Sequence, residues 1–163
     1  MAVQVITDST SDIPQQIADK LEIFVVPIFV SFGEKSYRDG VDIRSETLYK
    51  MLESSPDYPS TSQPNPENFT AVYTRFCDNV DGIVSIHISS KISGTYSSAN
   101  TARKTLESRC PIEVIDSKFN SAGLGLVVMA AARLAQSGAG LSEVADEAYA
   151  LSARYVCTVC LRQ

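Results

Sequence analysis

The sequence predicts an α/β protein with a mainly parallel β-sheet flanked by helices on both faces. Three observations carry this reading. Apolar, strand-like runs alternate with helix-like segments along the whole chain. Those runs are nearly continuous in apolar residues, as strands covered on both faces tend to be. Stretches rich in hydroxyl residues and glycine stand where strands give way to helices. The chain of 163 residues is long enough for one domain with a sizeable core.

The elements follow in order. "AVQVIT" (2–7) is β-branched and apolar, hence a strand. "DIPQQIADKLE" (12–22) predicts a helix with Asp12 as N-cap and Pro14 in the first turn, where its missing N–H costs little. "IFVVPIFVSF" (23–32) is a strand that Pro27 bends or confines to an edge. "SYRDGVDI" (36–43) carries the turn signal Asp39-Gly40. "SETLYKMLES" (45–54) is a helix with Ser45 as a cap and Leu48, Met51 and Leu52 in a stripe. The proline-rich stretch 55–66 has no period and reads as a loop. Residues 66–80 form a helix that buries Phe69, Val72, Tyr73 and Phe76. After it come a strand at 82–89, a helix at 94–108, a strand at 111–117, and helices at 122–138 and 141–154. "YVCTVCL" (155–161) opens a further strand.

Composition narrows the functional classes. With 44% hydrophobic and 20% charged residues the chain reads as globular, and its net charge of −5 argues against a nucleic-acid partner. The opening residues lack the cationic and apolar regions of a signal peptide. The apolar stretches 23–32 and 123–135 fall short of the roughly 20 residues that span a membrane. The expectation is a cytoplasmic protein with no integral membrane contact.

Four cysteines are present: Cys77, Cys110, Cys157 and Cys160. "CTVC" has the spacing of a redox or half-zinc motif, but on a strand its two thiols point to opposite faces. No second such pair and no histidine pair completes a zinc site, so reduced thiols and no metal are expected.

Ligands of parallel sheets sit beyond the carboxyl ends of the strands. That rule singles out residues 8–12, the loop 55–66, residues 89–95 and residues 116–125. In "SIHISSKISGTYSSA" (85–99) hydroxyls surround Gly94 just before a helix. A helix start attracts anions, and Gly94 lets backbone approach a ligand. Ser93 either caps the helix or donates its hydroxyl to that ligand. "TSQP" (61–64) is a hydroxyl and amide cluster in the long loop, either a turn or part of a site. "TDSTSD" (7–12) has Thr10 where an aspartyl phosphotransferase would carry its second carboxylate, so a capped turn is the better reading. "DSKFNSAGLG" (116–125) is neither a dinucleotide fingerprint nor a P-loop. The single histidine, His87, lies between Ile86 and Ile88 and reads as a satisfied core residue. With no GxSxG elbow and no acid–base pair, the residues favour a binding module over an enzyme.

"TDSTSDIP", "YRDGVDI", "TSQP", "ISSKISGTYSSA" and "DSKFNSAGLG" together resemble the DegV family, in its order and at about its spacing, over essentially the whole chain. The resemblance implies a bacterial fatty-acid-binding protein without catalytic residues or cofactor. Such a protein holds a long-chain fatty acid in an apolar tunnel and presents the carboxylate to a separate fatty acid kinase. The acyl phosphate then feeds phospholipid synthesis. Thr61 and Ser93 match the hydroxyls that bind the carboxylate, and Ser62 and Gly94 flank them. Members of the family carry a second α/β domain, and the expectation here is the first domain alone. The alternative is a truncated interaction or regulatory domain that no longer binds lipid. A phosphoryl-transfer enzyme is a further alternative, disfavoured by the missing P-loop and metal-ligand cluster.

Overall fold

The structure, a computed structural model, describes residues 3–55, 58–106 and 108–154. Its main sheet has four strands, β1 (Val3–Asp8), β2 (Phe24–Val26), β6 (Gly82–His87) and β7 (Ile112–Asp116), in the order β2-β1-β6-β7. All neighbours in it are parallel. Two apolar clusters fill the space on its faces. One joins Val3, Val5, Val84 and Ile86 to the helices α1 (Gln15–Lys20), α5 (Ser121–Gln136) and α6 (Leu141–Arg154). The other joins Ile6, Ile83, Ile112 and Val114 to α3 (Pro66–Cys77) and α4 (Thr95–Thr105). The alternation of Ile83 and Val84 between clusters is the two-residue strand period at work. The expected fold class therefore stands.

A second, antiparallel sheet lies on the connection from β2 to α3. It orders β4 (Lys35–Arg38), β3 (Phe29–Phe32) and β5 (Ser60–Ser62). Its apolar side packs Val30 and Phe32 with Ile43 and with Leu48 and Met51 of α2 (Ser45–Ser54).

Several local expectations change. The run 23–32 is two strands in different sheets, because Pro27 carries no N–H and the chain leaves the parallel sheet beside it. The stretch 55–66 contains β5, whose Thr61 pairs with Val30, so part of the expected loop is a strand. Asp12 does not cap α1. It sits at φ 51° after a 3-10 turn at Ser9–Ser11, and Asp8 caps that turn by accepting from the Thr10 N–H. Ser45 is the first residue of α2 rather than its cap, which is Arg44. Asn65 caps α3 in a reciprocal capping box with Asn68. The strand expected at 155–161, with Cys157 and Cys160, lies outside the described residues.

The chain leaves β1 toward one edge of the sheet and leaves β6 toward the other. The carboxyl ends of β1 and β6 thus form a topological switch point, where a crevice opens. Gly125 helps to set its rim: a Cβ there would stand 2.6 Å from the Ser11 carbonyl oxygen, in the turn after β1. A Cβ at Gly82 would meet only the flexible Leu141 side chain, at 2.8 Å. We therefore expect Gly125→Ala to lose about 1–3 kcal/mol through overpacking, only partly offset by better helix propensity. Gly82→Ala should lose less. Urea denaturation of both variants checks this, and a Gly125→Ala protein as stable as Gly82→Ala would contradict it.

Candidate functional site

Three of the four junctions singled out above converge. A cleft of about 230 Å³ is lined by Thr10 and Ile28, by Thr61, Ser62 and Gln63, and by Ile88, Ile92, Ser93 and Gly94. Thr10 follows β1 and Ser93 follows β6, so the cleft lies over the switch point. The antiparallel sheet brings β5 over it and supplies Thr61 and Ser62. The four residues expected to form the site, Thr61, Ser62, Ser93 and Gly94, are all in its wall. Gly94 serves close approach: a Cβ there would run into the Gln63 carboxamide.

The fourth junction buttresses the others. Asp116 accepts from the Ser90 amide at 3.2 Å, from the Ser90 hydroxyl and from the Lys118 amide at 3.0 Å. Ser121 donates to Asp12. These contacts tie Ser90 of the 89–95 segment to the end of β7 and Asp12, after the 9–11 turn, to the start of α5.

Ser93 precedes the helix instead of capping it in the usual way. Helix α4 begins at Thr95 with Gly94 as its cap, and the Ser93 Oγ accepts from the Thr95 N–H at 3.3 Å. Thr95 is fully buried, and its Oγ1 lies 2.9 Å from the Ser93 Oγ. The first-turn amides of α4 have no intrahelical carbonyl to pair with, and they carry partial positive charge toward the cleft end of the helix.

Beneath the cleft lies a string of buried polar side chains that sequence reading did not assemble. Ile6 pairs with Ser85 and Thr7 with Ile86 across β1 and β6, which sets Asp8 beside His87 on the same face. Asp8 Oδ2 lies 2.9 Å from His87 Nδ1, and Ser85 Oγ lies 2.7 Å from His87 Nε2. The Tyr73 phenol on α3 donates to Ser85 Oγ at 2.9 Å. Asp8, Ser85 and His87 are all fully buried, and the Phe69 ring meets the imidazole edge-on at 5.0 Å between centroids. Asp8 also accepts from the Ile88 amide at 3.2 Å, from the Thr10 amide at 3.1 Å and from the Thr10 hydroxyl. Burial by itself would raise the Asp8 pKa. The contacts from His87, Thr10 and Ile88 outweigh it and hold the carboxyl below its ordinary value. Burial pushes the Tyr73 phenol well above its ordinary value.

His87 is therefore a satisfied core histidine, as expected, and its partners come from β1, β6 and α3. The signal available in sequence was parity: Asp8 follows Ile6 by two residues, and His87 follows Ser85 by two. Among the described residues no group of three or more His, Cys, Asp or Glu side chains is placed to hold a metal ion. No helix among them is long and apolar enough to cross a membrane. Cys77 and Cys110 are buried free thiols, and burial pushes the Cys110 thiol up to about 12.

The Asp8 shift has a sign that can be tested. Its folded pKa lies below the ordinary value of 3.8, so its contribution to stability is complete above that value and is lost as pH falls through the folded pKa. Asp8→Asn should be less stable than the parent by about 2–3 kcal/mol at neutral pH. The gap should narrow as the pH drops below about 4. A gap of constant size across an acid titration of urea midpoints would refute the assignment.

Comparison with known proteins places this geometry. The family model described as uncharacterised protein, DegV family, matches residues 2–162. A DegV domain-containing protein of Clostridium perfringens is 41% identical over 145 residues, which is 89% of this chain and 52% of that protein. A solved structure from Thermus thermophilus, named for the fatty acid binding of a DegV family protein, superposes with a TM-score of 0.84 at 35% identity. It covers 94% of this chain and 54% of its own. DegV of Bacillus subtilis, named a fatty acid binding protein, superposes with a TM-score of 0.89 at 29% identity and the same coverage. The chain spans about half the length of the curated relatives it matches.

Proposed function

The chain belongs to the DegV family, and we propose that it holds a long-chain fatty acid with the acid end in the cleft between Thr61 and Ser93. The observation that carries this reading is the convergence of Thr61, Ser62, Ser93 and Gly94 on one cleft at the switch point. The fatty-acid binding named for its structural neighbours supports the ligand class. In this reading the Ser93 and Thr61 hydroxyls bind the head group and the start of α4 adds partial positive charge. Ile28, Ile88 and Ile92 give the cleft an apolar side on which the acyl chain begins.

The role is carriage, not turnover. The acid is presented to a separate fatty acid kinase, and the resulting acyl phosphate enters phospholipid synthesis. The chain corresponds to the first of two α/β domains, and the second adds the other wall of the acyl tunnel. A second reading, an interaction domain that has lost lipid binding, draws on one observation. A groove of about 460 Å³ runs between α5 and α6, lined by Phe119, Leu126, Val127, Ala130 and Leu151, with Leu126 64% exposed.

Native mass spectrometry and calorimetric titration with oleic acid separate these readings. A carrier shows a bound mass near that of a fatty acid. An interaction domain shows a concentration-dependent oligomer and no lipid. Ser93→Ala and Thr61→Ala should each weaken oleate binding by about 1.5–3 kcal/mol, the worth of a hydrogen bond to a charged or strongly polar head group, without loss of folded structure. Unchanged affinity in both variants would remove the two hydroxyls from the site.

A further inference from the structure

The direction of every proton beneath the cleft follows from counting. Ser85 has one proton and two partners. Its oxygen accepts from the Tyr73 phenol, and because Ser85 is fully buried its own proton goes to its other partner among the described residues, His87 Nε2, rather than stay unpaired. That nitrogen is then the acceptor, and the ring proton resides on Nδ1, facing Asp8. Asp8 receives four donors: His87 Nδ1 and the Ile88 amide on Oδ2, and the Thr10 amide and hydroxyl on Oδ1. This fills the acceptor capacity of a carboxylate.

The consequence falls on Thr10, which lines the cleft. Its single hydroxyl proton is committed to Asp8, so it offers only lone pairs to a ligand. Ser93 is the reverse case. The buried Thr95 directs its amide at the Ser93 Oγ and has its hydroxyl beside the same atom. Among the described residues the Ser93 Oγ is the partner within reach of the buried Thr95 hydroxyl, so we assign Thr95 as donor in that contact, which leaves the Ser93 proton for the ligand. The cleft thus pairs an acceptor with a donor.

We propose that Asp8 and His87 are positioning residues that lock Thr10 as an acceptor, and that the cleft takes its head group as a neutral carboxylic acid, whose O–H donates to Thr10 while its carbonyl oxygen accepts from Ser93. This rests on the head-group reading of the cleft given above. The surrounding charges agree with it. None of the cleft-lining residues is ionisable. Behind them stand Asp8 on β1, His87 on β6, Tyr73 on α3 and, acting on Tyr73, Arg103 on α4. The neighbouring segments also carry Asp12, which accepts from Ser121, Asp116, which accepts from Ser90, and the exposed Lys91. Among the described residues the buried Asp8 carboxylate stands one hydroxyl away from the ligand through Thr10, and a like charge there disfavours ionisation of the bound acid, against the partial positive charge at the start of α4.

The test uses oleic acid labelled with 13C at the carboxyl, and 15N labelling of the protein's single histidine. The 15N spectrum should show His87 protonated at Nδ1 and not at Nε2; the opposite tautomer overturns the proton line. The carboxyl 13C shift of bound oleate should stay that of the acid at about pH 6–7, well above an ordinary carboxyl pKa. Thr10→Val should weaken binding about tenfold at the acid end of that range and progressively less at higher pH, with Thr10→Ser restoring it. A purely structural role for Thr10 would give a loss independent of pH. Bound oleate that is ionised throughout overturns the protonated-acid assignment while leaving the head-group site in place. Failure of the parent protein to bind oleate at all removes the head-group reading, and this proposal with it.

Discussion

A carboxylate and an imidazole, both cut off from solvent, hold the carboxyl ends of β1 and β6 side by side. Their strands are the two from which the chain departs in opposite directions, so nothing in the connections themselves fixes how the crevice between them is floored. The Asp8–His87 contact fixes it. Asp8 reaches forward to cap the turn that carries Thr10 and sideways to the Ile88 amide, just before the segment that carries Ser93. Two walls of the cleft are thus referred to one carboxylate. A buried carboxylate that loses such partners keeps its desolvation cost, which makes this arrangement all-or-none.

The third wall is held differently. Thr61 and Ser62 stand on β5, whose only strand neighbour among the described residues is β3, and they reach the cleft because Gln63 lies against the bare backbone of Gly94. Close backbone approaches therefore set the width of the site, and the buried polar string sets the direction of its hydrogen bonds. The small sheet rests on a cluster of only a few buried side chains, Val30, Phe32 and Ile43. A wall with so small a core is the natural place for local opening, since opening energies scale with the apolar contacts that must be broken.

Much of this was legible in the sequence, and the reasons are physical. Strand and helix periods are local, so "AVQVIT", "GIVSIHIS" and "LSEVADEAYALSAR" announce their elements within a few residues of the observed ends. Hydroxyl- and glycine-rich junctions and loops are likewise local and singled out the segments, while the resemblance to the DegV family picked Thr61, Ser62, Ser93 and Gly94 within them; the fold brings all four to one cleft. Strand β5 was hidden because "STS" has no apolar alternation; its pairing is decided by β3, some 30 positions away. The Asp8–His87 contact was hidden for the same reason on a larger scale. It depends on the register of β1 against β6, which no window of sequence contains. Parity placed each residue on a face, but only the sheet order makes the two faces meet.

The polar string also explains why a chain containing Asp, His and Ser in hydrogen-bonded series is read as a carrier. Asp8, His87 and Ser85 are linked through Nδ1 and Nε2 in the order that serine hydrolases use. Here the series runs backwards relative to the cleft. The serine is fully buried and already accepts from Tyr73, while the carboxylate end lies next to the ligand space through Thr10. A nucleophile must reach its substrate, and Ser85 reaches only the core. The same three side chains that would activate an exposed serine instead deliver a fixed orientation to the half-buried threonine in the cleft wall. Chemistry of that kind changes what a cleft recognises and leaves the bound molecule intact, which is the behaviour a carrier requires.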